Sequence, residues 1–184
     1  MLNIEIVGIE RIQRELDPKI FKKAFVAALN TTAKQCMAAV DKQIRAEFTL
    51  KQKDVLVKKG SAYGFKFKKA NYSTLTATIE ARGSKFPLIS FSAKQTKKGV
   101  TVQVKKSGAR KLIPGAFIAN MAYGKGVFKR KTTKRLPTKE LKMISIAKLL
   151  TRQKSLDVIT KTLDSNLQKN YNSAILFYMS KVKK

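Results

Sequence analysis

Residues 85–135 read KFPLISFSAKQTKKGVTVQVKKSGARKLIPGAFIANMAYGKGVFKRKTTKR. Apolar and polar residues alternate through much of this stretch, the repeat of a strand with one buried face. Ile89, Phe91 and Ala93 form one apolar face; Val100, Val102 and Val104 form another. Lys94–Gly99 (KQTKKG) joins them as a lysine-loaded tip, and residues 107–111 (SGARK) turn the chain again. Phe117, Ala119 and Met121, or their alternates Ala116 and Ile118, give a further strand, MAYGKG (121–126) a loop, and VFKRK (127–131) a brief strand partner. Residues 82–87 read as a bend containing Gly and Pro, and TTKRLP (132–137) as an exposed basic bend.

Working outward, Asp17-Pro18 is a helix start: Asp17 can cap free amides, and proline at the first helical position loses no hydrogen bond. The spacing of Phe21, Phe25, Leu29, Cys36, Val40, Ile44 and Phe48 predicts a helix over 18–48 with one buried face and Asp41 off that face. Leu2–Val7 reads as a short opening strand and Ile9–Leu16 as a short helix. Residues 49–60 read as a turn and a short helix anchored by Val55, Leu56 and Val57, with Gly60 as its stop. Tyr63, Phe65 and Phe67 mark one strand, and Leu75, Ala77, Ile79 and Ala81 another, joined by KANYS (69–73). Residues 136–150 enter extended and finish as a short helix at 146–150. Ile159, Leu163, Leu167, Tyr171, Ile175 and Tyr178 then predict a helix over 154–181. The expected fold is α+β: one domain over 1–184 with a β-rich basic core at 61–135. An antiparallel sheet has its two long helices packed on one face, leaving the other face and the loop tips basic.

The charge is the outstanding feature. Forty Lys and Arg stand against eleven Asp and Glu in 184 residues, a formal charge of +29. Residues 1–50 carry eight bases and six acids, residues 51–150 twenty-five and three, and residues 151–184 seven and two. Such a surplus speaks to partners rather than to fold, because self-repulsion in the lone compact chain is relieved by an anionic neighbour.

Little else carries chemistry. With no histidine, the usual general base and a common metal ligand are missing. Cys36 sits on the apolar stripe of the first helix and reads as a core residue, with no activating neighbour in the sequence. Gly99, Gly108 and Gly115 are isolated turn glycines and make no phosphate loop. The acids form no metal-binding cluster, and Asp157 and Asp164 read as helix-surface residues. No catalytic residue, metal or cofactor is expected. No apolar run is long enough to span a membrane. MLNIEIVGIERIQREL at the start has acids where a signal peptide needs bases. A lone cysteine fits a reducing cytoplasm.

The basic run remains. Lys94, Lys97, Lys98, Lys105, Lys106, Arg110, Lys111, Lys129, Arg130 and Lys131 are the candidate contacts to DNA or to an acidic partner. Lysine is a point charge suited to phosphate, whereas arginine is the better reader of base edges, so any DNA contact is expected at the backbone, non-specific and salt-dependent. Phe65, Phe67 and Phe91 have the spacing of stacking aromatics but read more simply as core. From composition alone, a free non-specific nucleic-acid-binding protein is a complete alternative.

Several blocks in order narrow this: PLISFSAKQTKKGVTVQVKK (87–106), GARKLIPGAFIANM (108–121), GVFKRK (126–131) and RLPTKEL (135–141). Together with ALNTTAKQCMAAVDKQIRAEFTLKQKDV (28–55), they resemble the prophage minor tail protein Z family, tail completion proteins of long-tailed phages. The likeness spans roughly residues 20–145; KMISIAKLL (142–150) departs from the Gly/Pro-containing segment expected there. The resemblance implies a non-enzymatic virion protein, made in the bacterial host cytoplasm, at the tail top or neck. There it caps the tail tube for head–tail joining and DNA passage. Its expected partners are other tail and neck proteins and copies of itself in a homo-oligomeric, six-fold ring. Phe117, Ile118 and Met121 in GAFIANM are the candidate subunit contact, and read equally well as part of an ordinary inner strand.

Overall fold

The computed structural model describes residues 17–55, 63–83, 85–121 and 124–182. The class is α+β, with a long helix towards each end and antiparallel strands between. Those strands form four small sheets rather than one: two of two strands and two of three. The chain divides into two compact units. The opening strand and helix expected before Asp17, the anchors Leu56 and Val57, and the stop at Gly60 lie outside the described residues.

The first unit holds residues 17–40, 65–81 and 153–182. Helix α1 (Pro18–Glu47) begins where the sequence says it should. The Asp17 carboxylate accepts the Lys19 amide at 2.7 Å, so an otherwise unpaired donor of the first turn is satisfied. Its apolar stripe buries Phe21, Ala24, Phe25, Ala28 and Leu29 with Tyr171 and Ala70. The rings of Phe21 and Phe25 stack at 5.8 Å, and each meets Tyr171 edge-on at 6.2 Å. Tyr171 belongs to the C-terminal helix Gln153–Val182, which repeats the same three- and four-residue spacing. Cys36 is buried, as its place on the stripe predicts, and its thiol donates to the Ile159 carbonyl at 3.8 Å.

Strands β1 (Tyr63–Lys68) and β2 (Thr78–Gly83) pair with each other. The second begins three residues later than its alternation suggests. Asn71 explains the delay, because its side-chain oxygen takes the amides of Ser73 and Thr74 at 3.0 and 2.6 Å, which holds a turn against an extended ladder. Leu75 and Ala77 still pack on the helical core, from irregular chain. Asn30 secures the connection, donating to the Ala70 carbonyl at 3.1 Å and accepting its amide at 2.8 Å.

The second unit takes the last turns of α1, helix α2 (Gln52–Val55) and residues 85–152. Strand β3 (Lys85–Pro87) pairs with β10 (Lys142–Ser145). The expected bend at 82–87 is therefore partly strand. Strands β4 (Lys94–Thr96), β5 (Gly99–Val102) and β6 (Lys111–Pro114) form one three-stranded sheet. Strands β7 (Ala116–Met121), β8 (Gly124–Arg130) and β9 (Thr138–Glu140) form the other. The strand pair read at 116–121 and 127–131 is present, with Ile118 opposite Val127, but the second strand starts at Gly124, so Met121 and Gly124–Gly126, read as loop, are part of the ladder. Residues 136–150 also behave as read: β9 and β10 are followed by helix α3 (Ile146–Leu150), with Ser145 accepting the Lys148 amide at 3.3 Å as its cap.

The strand face expected from Ile89, Phe91 and Ala93 does not form. Leu88–Ser90 is a turn of 3-10 helix, closed by the Phe91 amide on the Leu88 carbonyl at 3.1 Å, and Ser92 has φ +52°. Left-handed backbone at Ser92 ends the turn and starts β4 only at Lys94. Phe91 nevertheless fills the core, edge-on to Phe86 at 6.2 Å, and both rings are fully buried with Val100, Val127, Ile146 and Leu149. Val104 lies past the end of β5, its carbonyl taking the Thr49 amide at 3.1 Å. Asp41, read as lying off the buried face of α1, is itself buried, which Arg45 one turn on makes tolerable: three hydrogen bonds of 2.7–3.0 Å hold the carboxylate.

Candidate basic interface

The ten candidate cations all belong to the second unit, and all ten are exposed. Residues 41–64 and 82–152, which make up that unit, contain twenty-five Lys and Arg against four Asp and Glu, a surplus of twenty-one; the rest of the chain has a surplus of eight. Each of the four carboxylates is already engaged. Asp41 holds Arg45, Glu47 holds Arg152 at 2.9 Å and Lys105 at 3.6 Å, Glu140 holds Lys142 at 3.1 Å, and Asp54 accepts the Lys51 amide at 3.2 Å. Of the ten, only Lys105 reaches a carboxylate among the described residues. The rest of the surplus is uncompensated.

Local structure decides how these cations are offered. In the β4–β5 hairpin Gln95 lies opposite the buried Val100, while Lys94 and Thr101 share the other face. Lys97 and Lys98 form the turn, which three side-chain bonds fasten. The Gly99 carbonyl accepts from Gln95 at 3.1 Å and from Thr96 at 2.9 Å, and Gln95 donates also to the Thr96 carbonyl at 3.0 Å. The two ammonium groups therefore stand on a rigid tip. Lys111 opens β6 opposite Val102, at the same end of the sheet as Lys94.

The 105–108 turn is fastened in the same way. Gln103 donates to the carbonyls of Lys106 and Gly108 at 3.1 and 3.0 Å, and the Lys106 amide donates to the Glu47 carbonyl at 2.9 Å. Arg110 is partly committed, one guanidinium nitrogen donating to the Ser92 carbonyl at 2.8 Å. Arg130 rests over the Phe117 ring at 5.7 Å. Lys131 begins the exposed bend 131–135.

Lys129 has a neighbour that the charge runs did not single out. It pairs directly with Lys139 on β9, a like-charge couple across adjacent strands. Lys139 was hidden because TKE at 138–140 is too short to show alternation by itself. The candidate subunit contact is divided by the pleat: Phe117 and Met121 share one face of β7, with Phe128 beside Phe117 at 6.3 Å, whereas Ile118 is on the other face.

Among the described residues no three His, Cys, Asp or Glu side chains gather as metal ligands, and no helix is long and apolar enough to cross a membrane. Burial pushes the Cys36 thiol above its ordinary pKa and favours the unreactive protonated form. What the arrangement offers is a hydrogen-bonded framework holding exposed cations on short turns and strand ends, all of the ten but Lys105 without a carboxylate partner among the described residues.

A family comparison places this framework. Residues 7–184 match the prophage minor tail protein Z family. The chain belongs to that family. It is a minor tail protein of a prophage, and the match runs through both compact units and past the departure at 142–150. No curated protein and no solved structure matches the chain. Among minor tail proteins the role is structural, and the association is with other tail proteins in the virion.

Proposed function

We propose that this minor tail protein completes the head-proximal end of a phage, or phage-derived, tail. Copies form a closed, six-fold ring at the neck, which caps the tail tube for head–tail joining and lets DNA pass. A closing ring requires a heterologous contact, and Phe117 and Met121 on the outer face of β7 supply one side of it. The protein acts by assembly and not by catalysis.

The observation that carries this reading, beside the family itself, is the uncompensated charge of the second unit, whose carboxylates are all occupied internally. Lys94, Lys97 and Lys98, with Lys105–Lys111 and Lys129–Lys131, meet an anionic neighbour in the particle: the DNA backbone, without sequence preference, or an acidic surface of the next tail protein. Charge of this kind steers assembly more than it supplies affinity.

The test is the triple replacement of Lys94, Lys97 and Lys98 by Gln in the prophage. Tail particles are purified over a series of salt concentrations and imaged for completed, head-joined tails. The expected result is normal folding with slowed completion and an altered salt dependence. Normal completion at every salt concentration overturns the role, as does absence of the native protein from purified tails.

A further inference from the structure

Residues 129–139 (KRKTTKRLPTK) hold six cations and no acid. They form the far end of the β8–β9 hairpin. Strand β7 accompanies β8 only as far as the Ala116–Lys129 pair. Strand β9 stays with it through Arg130 and Thr138, and the Lys131 amide then donates to the Pro137 carbonyl at 3.0 Å. Beyond Lys129 the chain is thus a ribbon of two strands, and every residue from Lys129 to Pro137 is exposed. Register distributes the charge. Lys129 and Lys139 face each other, and Lys131, two residues on, shares their face. Arg130 lies on the opposite face, beside Phe117, and Lys134 and Arg135 occupy the bend between the strands. None of the six reaches a carboxylate among the described residues. The adjoining Glu140 is on the other face from Lys139 and holds Lys142.

Two features select the partner. Opposed lysines destabilise a ladder, and departures from local rules of stability concentrate at functional sites. An anion seated between the two ammonium groups turns their repulsion into attraction. Cations on both faces and at the tip also suit a partner that surrounds the ribbon. A folded acidic protein would meet one face of it, and the core of a stable protein contact is depleted of charge. A duplex groove has a phosphate row on each side, and a major groove about 12 Å wide admits a two-stranded ribbon.

We propose that the β8–β9 ribbon is a contact to duplex DNA, entering a groove and taking backbone phosphates on both sides. It rests on the reading that cations of the second unit meet an anion. It commits that anion to a phosphodiester chain and adds Lys134, Arg135 and Lys139 to the surface that holds it.

Fluorescence anisotropy of the full chain with labelled duplexes of two unrelated sequences tests it, over about 0.05–0.2 M salt. The two duplexes should bind alike, since phosphate carries no sequence. The triple variant Lys129→Gln, Lys131→Gln, Lys139→Gln should lower the slope of log affinity against log salt by about 2.7, from about 0.9 per phosphate contact. Its affinity at the low-salt end should fall at least about tenfold. The control Lys34→Gln, Lys161→Gln, Lys169→Gln removes equal charge from exposed positions of the two long helices and should change the slope by less than about 1. The hairpin variant loses a like-charge pair, so its urea midpoint should not fall, which separates lost binding from lost folding. Equal losses in the two triple variants overturn the proposal, as does a native chain that does not bind duplex. Binding to poly-glutamate as tight as to duplex at each salt concentration also overturns it, and assigns the ribbon to an acidic protein. None of these outcomes decides the test of Lys94, Lys97 and Lys98, which is read in assembled tails.

Discussion

Lys129 and Lys139 stand directly opposite each other across the β8–β9 ladder, with no carboxylate near enough to pair with either among the described residues. Like charges in that position destabilise a sheet. Lys139→Glu is therefore expected to stabilise the isolated protein by about 0.5–1 kcal/mol in urea denaturation at low salt. The gain should shrink as salt is added. An unchanged or lowered midpoint would mean that the pair is already neutralised within the chain.

Glu47 binds two cations distant in sequence. Arg152 approaches it with two bonds of 2.9 and 3.0 Å and lies over the Phe48 ring at 5.5 Å, and Lys105 adds a contact at 3.6 Å. Arg152→Ala should cost roughly 1–2 kcal/mol, below the value for a fully buried pair because the arginine remains partly in water. Arg152→Lys should restore only part, since an ammonium lacks the planar fork. Denaturation midpoints of both variants decide it; full rescue by Lys would leave only the charge, and not the geometry, as the source of stability.

The sequence reading was strongest where one periodicity had no rival. Phe21–Phe48 and Ile159–Tyr178 left no choice but helix, and an Asp-Pro start fixed the first boundary. It failed where alternation was produced by another cause. Ile89, Phe91 and Ala93 alternate, yet the left-handed Ser92 and the 3-10 turn before it use Phe91 to fill a core from a bend. Lys111–Pro114 went unread as strand because a terminal proline and basic neighbours look like a turn. The cationic surface was visible in composition, but not which cations were already engaged. Lys105 and Arg152 meet Glu47 only through the fold.

Tyr171 has a buried hydroxyl without a hydrogen-bond partner among the described residues. Tyr171→Phe removes an unsatisfied polar group while keeping the ring contacts to Phe21 and Phe25, and should be neutral or stabilising by about 1 kcal/mol. Burial also raises the pKa of this phenol, as it does for the Cys36 thiol. In both cases the unfolded chain loses its proton first, so the contribution is complete below the unfolded values of about 8.5 and 10 and declines as pH rises above them. Stability measured from pH 8 to pH 11 should fall, and the phenylalanine variant should fall less. A Tyr171→Phe protein that loses stability at neutral pH would show that the hydroxyl is paired.

Gly99 adopts φ +149°, and a Cβ there would lie 2.2 Å from the Ile113 carbonyl oxygen. Backbone cannot yield as a side-chain tip can, so Gly99→Ala should cost at least about 2 kcal/mol or shift the β5–β6 register. Thermal denaturation and exchange protection of the β5 amides measure this. A variant as stable as the native chain would mean that the Lys97–Lys98 turn is looser than its hydrogen bonds imply.

Strand β7 lies at the end of its sheet, and its Ile118 amide points away from β8 into the side-chain carbonyl of Gln95 at 2.8 Å. The same glutamine is fastened on its other side to the Thr96 and Gly99 carbonyls. An open border of this kind is the usual template for runaway strand addition. The Gln95 carbonyl thereby occupies one donor that an added strand would need, so the border is blocked at Ile118 by a side chain of the neighbouring hairpin.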